Sequence, residues 1–436
     1  MIERHLPRIS YLAVLAVLGL GACQTLPADY ERRSESNWVS SWVSAQQLPE
    51  PRNALAPDEL TDATLRQIIR TSLGGARMRL RISNVYGTAP LTLGKTSVAR
   101  AASPDSSEID TLTSKTVTFS TRETVTVPAG AYIVSDPIEF SVEPLTHLAV
   151  SIYLPSAPEQ QTGHPGSRAT SYIQHGSHVA REVLSDAKQV DHWYQVAGLD
   201  VETGTASRAL LIIGDSITDG FGVQANTDQR WTDFLLARIQ NDSELKNTLA
   251  VLNVGLGGNR LLLDGLGPNG LSRFDRDVVN RPGARHVIVL LGVNDLGVLS
   301  RSKTAGQSEH DSTVHQLIAA YEQMIARARE NDIQIIGATI TPFRGSSFYP
   351  SDEMTEASRQ KVNAWIRTPG NFDAVIDFDA LMRSSDDPAK LDAGYDSGDH
   401  LHPSIAGYRA MADLVPLELF RDPSPPLSHR ARAESQ

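Results

Sequence analysis

A single cysteine among 436 residues leaves no room for an intrachain disulfide framework or a multi-cysteine metal site. No Lys/Arg run follows the N-terminus and the formal net charge is −11. A phosphate backbone needs a clustered cationic surface, so nucleic acid is not an expected partner. The chain also lacks an apolar run of the ~20 residues that a bilayer-spanning helix requires, and it contains no internal repeat. What is present is ordinary for a protein with a substantial core: 40% apolar and 21% charged residues. The length suits two domains, since one usually runs to ~100–200 residues.

The position of the one cysteine is informative. Arg4 and Arg8 precede an apolar run over residues 9–22, the layout of a secretory signal peptide. Leu20-Gly21-Ala22-Cys23 resembles the bacterial lipobox, which implies lipidation of Cys23 and a mature chain beginning there. The alternative is a plain secretory signal with an incidental cysteine. Gln24 rather than Asp after the cysteine implies, by the same resemblance, a cell-envelope protein sorted to the outer membrane, touching the membrane through its lipid anchor only.

Hydropathy periods divide the remainder. After a polar tether over 23–36, residues 37–200 show a period of two. Met78, Leu80 and Ile82 alternate with Arg77, Arg79 and Arg81, and Ile138, Phe140 and Val142, then Leu148, Val150, Ile152 and Leu154, repeat the pattern. Short strands between Gly, Pro and Ser predict a β-sandwich-like domain; the three arginines line either a ligand cleft or a solvated strand face. Over 206–422 the pattern becomes α/β. Continuous apolar runs at 208–214, 249–254, 286–291, 333–340 and 372–378 predict strands buried on both faces of a parallel sheet. Helical periods such as Trp231, Phe234, Leu235 and Ile239 separate them and predict helices on both faces, a flavodoxin-like arrangement. Residues 423–436 form a Pro- and Ser-rich tail.

In such a sheet, chemistry is expected at the carboxyl ends of the strands. The first run ends in Gly214-Asp215-Ser216-Ile217-Thr218-Asp219-Gly220, a serine on a glycine-flanked turn before a helix whose N-terminus favours developing negative charge. A helix cap alone would also explain it. The second ends in Asn253-Val254-Gly255-Leu256-Gly257-Gly258-Asn259, where glycines either make a tight turn or free an N–H for a substrate. The third ends in Gly292-Val293-Asn294-Asp295, whose amide can donate to an oxyanion or bond its own loop. Near the C-terminus, Asp399-His400-Leu401-His402-Pro403 supplies a carboxylate and an imidazole on one short loop. Asp396 competes with Asp399, and a metal pair of His400 and His402 is an alternative that lacks a nearby third ligand.

Taken together and in this order, the four segments resemble the GDSL or SGNH hydrolase superfamily over about residues 206–420. The resemblance implies the SGNH hydrolase fold, with Ser216 as nucleophile, His402 as base and Asp399 orienting it. The Ser216 and Gly258 N–H groups and the Asn294 amide would form the oxyanion hole, while Asp215 and Asp295 hold their loops. It implies a serine ester hydrolase without metal or other cofactor. Trp38 to Trp42, Leu65 to Arg70 and Arg79 to Gly87 further resemble the subgroup found beside xylan-degrading enzymes, which points to acetyl esters on carbohydrate as the substrate. An arylesterase or lysophospholipase acting on longer acyl chains, and a non-catalytic glycan-binding lipoprotein, are the competing readings.

Overall fold

Five of the apolar runs form one parallel sheet in a computed structural model that describes residues 37–421 apart from Thr205 and Lys303. The expected leader, Cys23, the tether and the 423–436 tail lie outside the described residues. The strands are β1 (Arg208–Gly214), β2 (Leu249–Gly255), β3 (Ala284–Leu290), β4 (Gln334–Ala338) and β5 (Ala374–Ile376), in the order β2-β1-β3-β4-β5. Every neighbouring pair is parallel. This is the flavodoxin-like doubly wound order, in which the chain reverses its direction of travel between β1 and β3 and leaves a crevice at their carboxyl ends.

Helices cover both faces of the sheet. The helical period at Trp231 yields α2 (Trp231–Asn241), which buries Trp231, Leu235 and Ile239 at four-residue spacing, after a short α1 (Ser216–Asp219). The others are a short helix Gly270–Phe274 that runs into a π-helical turn, then α3 (Val293–Ser300), α4 (Gln307–Glu330), α5 (Glu353–Arg367), α6 (Phe378–Met382) and α7 (Ile405–Leu414). The strands at 333–340 and 372–378 are shorter than their apolar runs. The apolar run over 372–378 gives a strand of only three residues, because the Asp377 carboxylate accepts the Ala380 N–H and starts α6.

The segment before β1 folds as two larger antiparallel sheets and two two-stranded ribbons. One joins Asn37–Val43, Val196–Thr203, Gly75–Ser83, Tyr132–Val134 and Ile138–Val142; the other has six strands centred on Ala63–Arg70 and His147–Leu154. Their inward residues, among them Val39, Leu65, Leu80, Val150 and Leu199, merge into one apolar core. The arginine stripe is neither a solvated face nor an open cleft. Arg79 and Arg81 both reach the buried Asp200 across the strand pair, at 3.0 and 2.9 Å, while Arg77 bonds Glu202 and the Ser40 hydroxyl adds a 2.8 Å bond to Asp200. This part also closes the exposed edge of the parallel sheet. The Val251 N–H of the edge strand β2 donates to Ser72 Oγ at 2.6 Å, so this donor is not presented to another chain, and the Ser40 N–H donates to Pro282 O, just before β3, at 2.9 Å.

Candidate active site

The reversal point between β1 and β3 gathers the sequence motifs. Ser216 opens α1 directly after β1, where the Asp215 carboxylate accepts the Ile217 N–H at 3.0 Å. The helix ends after one turn, closed by Gly220 at φ 85°. That is a departure from the expected helix N-terminus behind the nucleophile: a single turn sums few peptide dipoles, so charge on an oxyanion must be met by individual N–H groups.

The last loop brings His402 to Ser216. Ser216 Oγ lies 2.8 Å from His402 Nε2, and His402 Nδ1 lies 2.6 Å from Asp399 Oδ2. Both Ser216 and His402 are almost fully buried. Burial alone would raise the Asp399 carboxyl, but the hydrogen bond from His402 and the N–H groups of His402 and Leu401 hold it well below the ordinary carboxylate range. An ionised Asp399 can only accept, so Nδ1 carries the ring hydrogen and Nε2 is left to accept from Ser216. The competitor Asp396 bonds His400 instead. The two histidines therefore face different carboxylates, and no group of three or more metal-ligating side chains occurs among the described residues.

Gly258 and Asn294 complete the cluster of sequence motifs. Gly258 sits at φ +69°, a backbone conformation that favours glycine, and faces the exposed Leu266 side chain. Neither its N–H nor that of Ser216 has an acceptor among the described residues. The Asn294 amide is fixed at both ends: Tyr349 Oη donates to its Oδ1 at 2.6 Å, and one Nδ2 hydrogen goes to Asn259 O at 2.9 Å. Its second hydrogen remains available. Asp295 accepts the Leu261 and Leu262 N–H groups at 2.8 and 3.0 Å and so pins the loop that follows Gly258.

Several residues around the site carried no readable signal. Arg273 is fully buried and donates to Val254 O at 2.7 Å, Gly214 O at 3.0 Å and Asn259 Oδ1 at 3.0 Å, tying the ends of β1 and β2 together. The Phe221 ring stacks on His402 at 4.1 Å, and Phe348 meets the same imidazole edge-on at 5.5 Å. From the antiparallel part, His164 Nε2 reaches Asp219 Oδ1 at 2.9 Å while its Nδ1 lies 2.9 Å from Ala45 O. The ring thus bridges the turn that bears Asp219 and the Ala45 carbonyl. Only histidine within an otherwise unremarkable Gly-His-Pro-Gly turn marks this position in the sequence.

Burial pushes the Asp215 carboxyl up to about 7, helped by the nearby Asp295 charge and opposed by the Ile217 N–H; Asp295 rises to about 6 for the same first reason. A folded-state value above the unfolded one means that the folded protein binds the proton more tightly, so the stability is fully present below about pH 4 and is lost as pH rises to about 7. The melting temperature is therefore expected to fall between pH 5 and 8. Asp215→Asn keeps the oxygen that accepts from Ile217 but removes the buried charge, and should raise stability at pH 8 by on the order of a few kcal/mol while flattening the profile. Parallel thermal melts at the two pH values would decide this; an equally steep profile in the variant would assign the titration elsewhere.

Residues 212–410 match the GDSL-like lipase/acylhydrolase family. The match begins within β1 and ends within α7, and it contains Ser216, Gly258, Asn294, Asp399 and His402. No curated protein matches the chain. Among solved structures, it is similar to a G-D-S-L family lipolytic protein from Desulfitobacterium hafniense, at 23% identity over 48% of this chain and 97% of the other, with a TM-score of 0.35. It is also similar to an acetylxylan esterase from Geobacillus stearothermophilus, at 21% identity over 48% and 94%, with a TM-score of 0.33.

Proposed function

We propose that the chain is a serine ester hydrolase whose domain over 206–422 transfers an acyl group through Ser216, and that its substrates are acetyl esters on carbohydrate. The observation that carries the reaction type is the directed chain from Ser216 Oγ through His402 to Asp399 beside three free donors. His402 takes the hydroxyl proton as Ser216 attacks the ester carbonyl, and the oxyanion is met by the Ser216 and Gly258 N–H groups and the Asn294 amide. Collapse of the tetrahedral intermediate expels the alcohol, which receives its proton from His402. Water then enters by the same base and releases the acid.

Removal of one oxyanion donor typically costs ~10²–10³ in turnover. Asn294→Ala should fall in that range on 4-nitrophenyl acetate, with KM changing much less, while the loss of the bonds to Tyr349 Oη and Asn259 O lowers the melting temperature without unfolding the protein. Unchanged turnover in the folded variant would remove Asn294 from the oxyanion hole. Substrate class is tested by comparing acetate and octanoate esters with acetylated xylan, using protein that starts after Cys23. Acetate preference with release from xylan supports the carbohydrate reading. A specific feature favours the longer-chain alternative: Leu263 and Leu266 are 62% and 41% exposed, with Leu266 against Gly258. Octanoate preference would select it. Attachment of the mature chain through a lipid on Cys23 to the outer membrane is part of the same proposal, and Cys23→Ser should release the protein from the membrane fraction and abolish palmitate labelling.

A further inference from the structure

One cation beside the reacting groups has no work to do in the fold. Arg168 belongs to the turn that carries His164, in the antiparallel part of the molecule, and its backbone is held in the left-handed region at φ +50°, where a non-glycine residue is strained. The turn is fastened on both sides of it. Asn226 N donates to Arg168 O at 2.9 Å, Asn226 also exchanges two 2.8 Å bonds with Thr170, and Arg230 donates to Ser167 O. The Arg168 side chain, by contrast, has no hydrogen bond or ion pair among the described residues, and its Nε is shielded from solvent without an acceptor. The guanidinium carbon stands 5.9 Å from the centre of the Phe221 ring. That ring stacks on His402, and Phe348 packs edge-on against both.

This location has a definite meaning if Ser216 acts as proposed above, on which the inference rests. The acyl oxygen is drawn to the Gly258 and Asn294 donors, whereas the leaving oxygen must face the imidazole that protonates it. Side chains grouped around His402 therefore meet the alcohol half of the ester. Two aromatic rings, 38% and 40% exposed, offer flat faces and edges to a ring-shaped alcohol. Next to them is a guanidinium that lacks a counter-ion and whose fork matches a carboxylate.

We infer that Arg168, Phe221 and Phe348 form a leaving-group subsite for an alcohol that carries a carboxylate, with its ring against the phenylalanines and its carboxylate on Arg168. A uronic acid within an acidic glycan and an aromatic hydroxy acid share this chemistry. The strained turn is then a device that delivers a cation from the antiparallel part to the mouth of the site, and the specificity of the hydrolase depends on a residue outside the segment 212–410.

The test compares matched acetates, 4-acetoxybenzoate against 4-acetoxybenzamide and acetylated oligogalacturonate against acetylated xylo-oligosaccharide, in the parent, Arg168→Gln and Arg168→Lys proteins. Comparing ratios between proteins cancels the intrinsic reactivity of each ester. The parent should favour the anionic member of at least one pair. Arg168→Gln should lower that acid-to-neutral ratio of kcat/KM about tenfold or more, leave the neutral ester within about twofold, and be partly rescued by Arg168→Lys. Whichever pair responds identifies the source of the carboxylate. After each ester's rate is divided by its hydroxide-catalysed rate, an equal or inverted ratio in the parent protein overturns the inference even if the variants fail to fold, while serine-dependent turnover of neutral esters would leave the hydrolase reading standing. Calorimetric titration of the Ser216→Ala protein with 4-acetoxybenzoate and the benzamide judges the subsite without turnover. Tighter binding of the anion, lost on adding Arg168→Gln, supports it; equal binding overturns it, even where no ester is cleaved at all.

Discussion

Ser216→Ala is expected to lower ester turnover by about 10⁴–10⁶, to the residue of catalysis that bound oxyanion donors provide on their own. The fold should hardly notice. The hydroxyl makes one hydrogen bond, to His402 Nε2, and the backbone turn around it is held by other groups: Asp215 on the Ile217 N–H, and Ser216 O on the Gly220 and Phe221 N–H groups. A melting temperature within a few degrees of the parent, with turnover gone, is the expected pair of results. The unit character of the site gives a sharper version. Once Ser216 is absent His402 has no proton to take, so Ser216→Ala combined with His402→Ala should be no slower than Ser216→Ala alone. Additive losses in that double variant would mean that His402 acts on something other than the serine, and Ser216→Ala turnover within tenfold of the parent would remove the nucleophile altogether.

What could be read from the chain in advance follows from the range of the interactions involved. Strands buried on both faces must be apolar throughout, so β1 to β4 announce themselves as runs; β5 is blurred because an apolar helix start follows Asp377 at once. Loop residues that bond within a few positions are similarly visible, as with Asp399, whose contacts to Leu401 and His402 span two and three residues. Contacts between distant segments leave no such pattern. Arg273 beside the Ser216 turn reads as one more arginine, Tyr349 as an aromatic in a loop, and the arginine stripe as either a cleft or a solvated face until Asp200 is found opposite it. The antiparallel part illustrates the point most clearly. Nothing in a Gly-His-Pro-Gly turn indicates that it will meet the third residue after Ser216. Yet a Cβ on Gly166 would fall 1.8 Å from Asp219 Oδ2, so the two surfaces are fitted closely enough to exclude even a methyl group. His164 and Asp219 thus couple the placement of the Ser216 turn to the part of the molecule that precedes the matched family segment.

Asp399→Asn should prove nearly as damaging as loss of the serine, through geometry rather than through loss of a contact. Asp399 Oδ1 accepts the backbone N–H groups of Leu401 at 2.9 Å and His402 at 2.8 Å, while Oδ2 faces His402 Nδ1. An asparagine in this loop has one oxygen to offer, and the two N–H donors claim it. The amide NH₂ is then turned toward Nδ1, which must become the acceptor. The ring hydrogen moves to Nε2, where it points at Ser216 and cannot be replaced by the serine proton. A drop in kcat of about 10⁴ with KM little changed is expected from this wrong tautomer. Because the variant preserves both backbone hydrogen bonds, the loop should stay in place, and nitrogen-15 shifts of the His402 ring should report hydrogen on Nε2 instead of Nδ1. If the asparagine variant retains turnover within tenfold of the parent, or its ring hydrogen stays on Nδ1, then Asp399 does not set the state of His402, and the carboxylate on this loop is only a backbone anchor.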